Sequence, residues 1–166
     1  MAATLPVSAP EIRLARVLAL GVPLLLLGGA YVSQYVFGLF PCEMCWWQRW
    51  PHFAALFFAV LAFLLPMRVI LTGIAALLIL TSGLIGGFHA GVEYGWWEGV
   101  TGCASAVPAG GGNALDSIMN APIIRCDVAP WSLLGISLAG WNFLISTATA
   151  IAIFILLGKG SRHVQA

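Results

Sequence analysis

Charge is what this sequence has least of. Only 8% of its 166 residues are Asp, Glu, Lys or Arg, against about a quarter in a soluble domain. Water is therefore excluded as the main solvent. A basic patch is also missing, because a formal net charge of +1 leaves no cationic surface to neutralise phosphates. Nucleic acid is not an expected partner. The long apolar stretches lack a paired ionisable path, which counts against a transporter. They also lack cysteine, although the chain has 4.

What the chain has in abundance is apolar residues, at 61%. Four stretches, about 17–39, 47–65, 69–89 and 133–157, are long and apolar enough to read as membrane spans. The expectation is one all-α domain over residues 1–166, a four-transmembrane-helix bundle in a lipid bilayer. An even number of spans puts both termini on one side. Arg13, Arg16, Arg68, Lys159 and Arg162 fall on that side, 5 of the 7 Lys and Arg, with Arg49 and Arg125 opposite. The excess marks the termini as cytoplasmic. Arg13, Arg16 and the patch Gly28-Gly29-Ala30 also suit a cleaved leader. The apolar run continues to Phe40, however, longer than a typical signal core.

All four cysteines then lie in the two outer connections. Cys42 and Cys45 sit in the short one, Cys103 and Cys126 in the long one at about 90–132. An even count confined to the oxidising face reads as disulfide chemistry. The long connection holds the flexible run Gly110-Gly111-Gly112, then a stretch from Asn113 to Asn120 with Leu115, Ile118 and Met119 at helical spacing. A short helix on the membrane surface and an ordered loop with apolar anchors fit it equally.

A Cys-x-x-Cys disulfide closes too small a loop to stabilise much through the unfolded state. At a helix start the pair suits redox work instead, because free N–H groups and the helix dipole favour the attacking thiolate. Pro41 directly before Cys42 fits a helix beginning there. Continued as a helix, the segment carries Cys42, Cys45, Arg49 and His52 on one face, with Pro51 as a possible kink. Arg49 could stabilise a Cys45 thiolate or a quinone oxygen, and His52 could pass protons. Trp46, Trp47 and Trp50 read as interface anchors. His89 and Glu93, one turn apart at the outer end of the third span, could border a quinone pocket or satisfy each other.

Pro41-Cys42-Glu43-Met44-Cys45 with Gln48-Arg49, then Cys103, Cys126-Asp127 and Trp131-Ser132-Leu133-Leu134-Gly135-Ile136-Ser137, resemble the bacterial disulfide-bond formation family DsbB over essentially the whole chain. The resemblance implies a quinone-dependent thiol oxidase of the bacterial inner membrane, with its active cysteines periplasmic. Its partner would be a periplasmic thioredoxin-fold oxidase of the DsbA type, and its cofactor a ubiquinone or menaquinone from the membrane pool. By the same resemblance Cys103 would form the mixed disulfide with the partner. Cys126 would pair with Cys103 and exchange with Cys42, while Cys45 would face a quinone held with the help of Arg49. The chain departs from the pattern at Tyr94, where some members carry histidine after the acidic residue. His89 is the candidate substitute.

Three other readings compete. A zinc site is disfavoured, because Cys103 and Cys126 are not the close pair that zinc ligands usually form. A vitamin K epoxide reductase-like or paralogous thiol oxidoreductase shares the logic, but such enzymes usually place Cys-x-x-Cys late in the bundle. A non-enzymatic membrane protein braced by loop disulfides is disfavoured by the small Cys42–Cys45 loop. If the glycine run lets the long loop carry electrons between partner and bundle, shortening Gly110–Gly112 is expected to reduce turnover. Unchanged turnover would remove that role.

Overall fold

The computed structural model describes residues 10–101, 104–105 and 123–165. Cys103, the glycine run and the stretch 113–120 lie outside the described residues. Four helices form the described chain: α1 (Pro10–Tyr35), α2 (Glu43–Leu64), α3 (Arg68–Glu93) and α4 (Leu138–Gln165). Two short antiparallel ladders join them: β1 (Ala104–Ser105) with β2 (Ile123–Ile124), and β3 (Ser132–Leu133) with β4 (Ile136–Ser137).

Local chemistry sets the ends of these elements. Cys42 is the extended N-cap of α2, and its sulfur accepts the Cys45 N–H at 3.3 Å. Leu65-Pro66-Met67 turns the chain directly from α2 into α3. At the end of α3, Gly95 has φ +70°. Its N–H donates to Val92 O at 3.1 Å, and the Trp96 N–H donates to Gly91 O at 2.8 Å. This is the glycine-terminated closure that satisfies the last carbonyls of a helix. Trp97 then folds back over Gly91, donates Nε1–H to Phe88 O at 2.9 Å and stacks on the Phe88 ring.

The first and fourth apolar runs differ from their expected limits. α1 stops at Tyr35, and Gly38 at φ +69° turns the chain towards Pro41. Residues 133–137, expected within the fourth span, belong with Ser132 to a hairpin instead. Leu134 (φ 55°) and Gly135 (φ 77°) both adopt the left-handed backbone of a two-residue hairpin turn, so α4 begins only at Leu138.

Small residues let the helices close. Ala15, Ala19, Ala55, Ala59, Ala75, Ala76 and Ala150 are fully buried around Ile79 and Ile153. Large apolar side chains such as Leu25, Phe57 and Ile70 point outwards, as expected where lipid is the solvent. α1, α3 and α4 are each long and apolar enough to cross a membrane. α2 falls short by composition, because Gln48, Arg49, Pro51 and His52 occupy its first half.

α3 packs most extensively against α2 and α4, and its glycines set how closely. A Cβ added at Gly86 would meet Ala139 O at 2.9 Å, and Asn142 Nδ2 and Gln48 Oε1 at 3.0 Å. Gly86→Leu is therefore expected to destabilise the bundle by about 1–3 kcal/mol through overpacking. At Gly28 an added Cβ meets nothing within 4 Å, so Gly28→Ala should stay within about 0.5 kcal/mol of the parent. Thermal unfolding in detergent checks both.

Candidate functional site

The N-terminus of α2 holds the first cysteine pair. Cys42 and Cys45 sulfurs are 2.9 Å apart and both thiols are free. Cys42 is buried at 4% exposure, while Cys45 is half-buried. The hydrogen bond with the Cys45 sulfur, and then burial, push the Cys42 thiol up to about 12.

The long connection returns to this point. Cys126 is buried in a small cluster with Cys42, Met44 and Val92. The Cys42 and Cys126 sulfurs and a ring nitrogen of His89 all lie within 4.8 Å of one another. Burial pushes the Cys126 thiol up. Next to it, Arg125 grips both oxygens of Asp127, and its hydrogen bonds hold that carboxyl below its ordinary value.

Behind the sulfurs lies a polar network buried between three helices. Gln48 Nε2 donates to Met44 O at 3.1 Å and to His89 Nδ1 at 2.8 Å. Gln48 Oε1 accepts from Asn142 Nδ2 at 2.8 Å, which also donates to Ser82 O at 3.2 Å. Ser82 Oγ donates to Gln48 O at 2.7 Å. Asn142 Oδ1 accepts from Ser146 Oγ at 2.8 Å and from His52 Nε2 at 3.0 Å. Each amide nitrogen is anchored on a backbone carbonyl, so neither amide can be turned over without losing a bond.

A cavity of about 250 Å³ runs beside this network. Its apolar wall comes largely from α1, including Leu25, Leu26 and Ala30. Cys45, Gln48, Arg49, His52, His89 and Glu93 supply its polar side. Buried atoms His52 Nδ1 and Glu93 Oε2 have no partner among the described residues. Two unpaired polar atoms there call for a polar ligand, and the apolar wall beside them suits one that carries an apolar tail.

The structure thus brings Cys42, Cys45, Cys126, Arg49, His52, His89 and Glu93 to one end of the bundle. Cys103 lies outside the described residues. α2 runs on through Pro51, so Arg49 and His52 reach the same cavity as Cys45. Arg49 is held by α1: Nη1 donates to Gln34 Oε1 at 2.7 Å and Nη2 to Ala30 O at 3.2 Å, with Tyr31 and Trp46 against its guanidinium. His89 Nε2 lies 3.7 Å from Glu93 Oε1. The Tyr94 hydroxyl accepts the Ser137 N–H at 3.0 Å and donates to Gly135 O at 3.2 Å, tying α3 to the hairpin.

Sequence reasoning gave Gln48 no role and missed Asn142, Ser82 and Ser146. The available signal was Asn142, an amide inside an apolar run, where polar groups are candidates by default. The Cys42, Cys126 and His89 trio is a soft donor set of the kind that binds zinc. The Gln48 amide hydrogen on Nδ1 leaves Nε2 carrying hydrogen, so this arrangement offers the sulfurs a donor and not a metal-binding lone pair.

Comparisons with known proteins agree with one another. A family model described as disulfide bond formation protein DsbB matches residues 12–156. The chain is 29% identical over 148 residues to a Disulfide bond formation protein B of Marinobacter nauticus, covering 82% of this chain and 86% of that one. It is 28% identical over 164 residues to a protein of the same name from a Polaromonas species, covering 91% and 93%. An uncharacterized protein of Rickettsia prowazekii is 26% identical over 141 residues, covering 82% of each chain. No solved structure matches.

The buried dithiol generates a pH prediction. The thiolate is the species that alkylates, so a thiol raised to about 12 should leave Cys42 nearly inert at pH 8. In the reduced protein its iodoacetamide rate, read by mass spectrometry, should climb about tenfold per pH unit up to that value. A plateau near pH 9 would contradict the burial and hydrogen bonding described.

Proposed function

The chain belongs to the disulfide bond formation protein DsbB family, and on that basis we propose that it oxidises a DsbA-like periplasmic thiol oxidase and delivers the electrons to a membrane quinone. The observation that carries this reading is the stacking of sulfurs at the head of α2. Cys126 reaches the Cys42 sulfur within 4.8 Å, and Cys42 lies 2.9 Å from Cys45. A loop thiol, a buried thiol and a cavity-facing thiol stand in sequence.

The chemistry follows as two thiol–disulfide exchanges. The Cys126 thiolate attacks the Cys42 sulfur of a Cys42–Cys45 disulfide; that bond breaks and Cys45 leaves with the bonding pair. The Cys103 thiolate then attacks Cys126 and releases Cys42, leaving a Cys103–Cys126 disulfide. Attack on Cys103 by a partner thiolate carries that disulfide outwards. Residues 1–166 act in this scheme as one inner-membrane domain, with Cys103 at the partner-facing end.

Arg49, His52, His89 and Glu93 would hold the quinone in the cavity, with the apolar wall of α1 along its tail. A quinone bound there would accept the two electrons released as Cys42 and Cys45 close. A DsbA-type oxidase sits near −120 mV, so its reoxidation needs an acceptor of at least comparable potential. The four-span topology with cytoplasmic termini is part of the proposal. α2 has 22 residues, about 33 Å of helix, which matches a hydrocarbon core of about 30 Å. Gln48, Arg49 and His52 in its first half are buried against protein, which supports a span there.

The test is a thiol count on fully reduced protein before and after anaerobic addition of a soluble quinone. Thiols should disappear in step with quinone reduction, and Cys45→Ser should abolish both. Unchanged thiols with the quinone intact would end the proposal.

A further inference from the structure

One buried group is wired to the reacting sulfur in a way the exchange scheme has not used. His89 is 2% exposed, and its Nε2 lies 3.6 Å from the Cys42 sulfur. Its other nitrogen, Nδ1, faces the Gln48 amide nitrogen at 2.8 Å. An amide nitrogen only donates, so Nδ1 must accept and the ring hydrogen sits on Nε2. Gln48 cannot reverse this at low cost. Its nitrogen also serves Met44 O, and its oxygen takes the Asn142 Nδ2 hydrogen, which is aligned by Ser82 O.

We infer that the Asn142–Gln48 amide pair locks His89 as an N–H donor to Cys42, stabilising the Cys42 thiolate during exchange. The inference rests on the proposed exchange for its purpose, though not for its geometry. When Cys103 attacks Cys126, the Cys42–Cys126 bond breaks and Cys42 keeps the bonding pair. The new negative sulfur is then faced by the Nε2–H, which stays on the ring and donates a charge-assisted hydrogen bond. No proton is lost and no further reactant is needed. His89 touches the reacting atom and is catalytic in that sense; Gln48 and Asn142 are positioning residues. The other titratable groups around Cys42 are Cys45 of α2, Glu93 of α3 and Cys126 of the long connection. None of them brings positive charge to the sulfur. Arg49 is turned to α1. Beside the Cys45 backbone N–H that already caps this sulfur, His89 supplies a ring N–H.

The same arrangement gives the two histidines opposite roles. Asn142 Oδ1 can only accept, so His52 donates through Nε2 and keeps a bare Nδ1. One amide pair therefore fixes a donor at the sulfur and an acceptor on a residue lining the cavity.

The test uses reduced, quinone-free full-length protein, so failure of the oxidase reading does not affect it. The readout is the alkylation rate of Cys42 against pH, with Cys126 alkylation and helicity as internal references. His89→Phe should slow Cys42 about tenfold at a fixed pH, the scale of one hydrogen bond to a charged group. His89→Gln, which retains a donor, should recover much of the rate. Gln48→Leu removes the donor that keeps Nδ1 an acceptor, lets the ring hydrogen leave Nε2 and should slow Cys42 with His89 still present. Superimposable Cys42 profiles in the parent and His89→Phe would overturn the inference. If His89→Phe does not fold, Gln48→Leu decides alone, and an unchanged profile there overturns it equally.

Discussion

The arrangement hangs on one constraint: two side-chain amides, Gln48 and Asn142, lie between helices in an apolar bundle and take their partners from the protein. Leaving such groups unpaired costs several kcal/mol each in a medium of this kind. They are satisfied only when α2, α3 and α4 stand in one register, because the acceptors Met44 O, Ser82 O and His89 Nδ1 come from different helices. Gly86 allows the approach, since a side chain there would occupy the space between the two amides. Helix packing through small residues and polar specification are the same event in this protein.

That register has chemical consequences at the head of α2. The cap that starts the helix is a cysteine sulfur, so the atom that satisfies a backbone N–H is also a candidate redox atom. The Cys45 sulfur and then burial raise its thiol to about 12. The histidine beside it, oriented from behind by an amide whose own orientation is set by backbone carbonyls, is what opposes it. Reactivity at the sulfur therefore depends on residues on α4 that never approach it.

The cavity shows a similar division of labour. Its apolar wall belongs to α1 and its polar side to α2 and α3. Arg49 is the link, because its guanidinium is anchored on α1 through Gln34 and Ala30 while its backbone belongs to α2. A cation at that depth is tolerable because Tyr31 and Trp46 flank it and polar oxygens pair it.

Much of this was legible in the residues themselves. Scarcity of charge and the long apolar runs point to a helical membrane chain, since solvent preference is a property of composition. Pro41-Cys42-Glu43-Met44-Cys45 marks a helix start with two thiols, because capping and proline effects act within a turn. The face shared by Cys45, Arg49 and His52 follows from helix period alone. The sequence could not say that Leu134-Gly135 turns a hairpin where an apolar run continues, because hydropathy does not register backbone handedness. Nor could it say that Asn142 reaches Gln48, that His89 presents hydrogen to Cys42, or that Cys126 packs against it. Those pairings join residues far apart in the chain, and the physical reason is that only helix register decides which buried donor meets which acceptor.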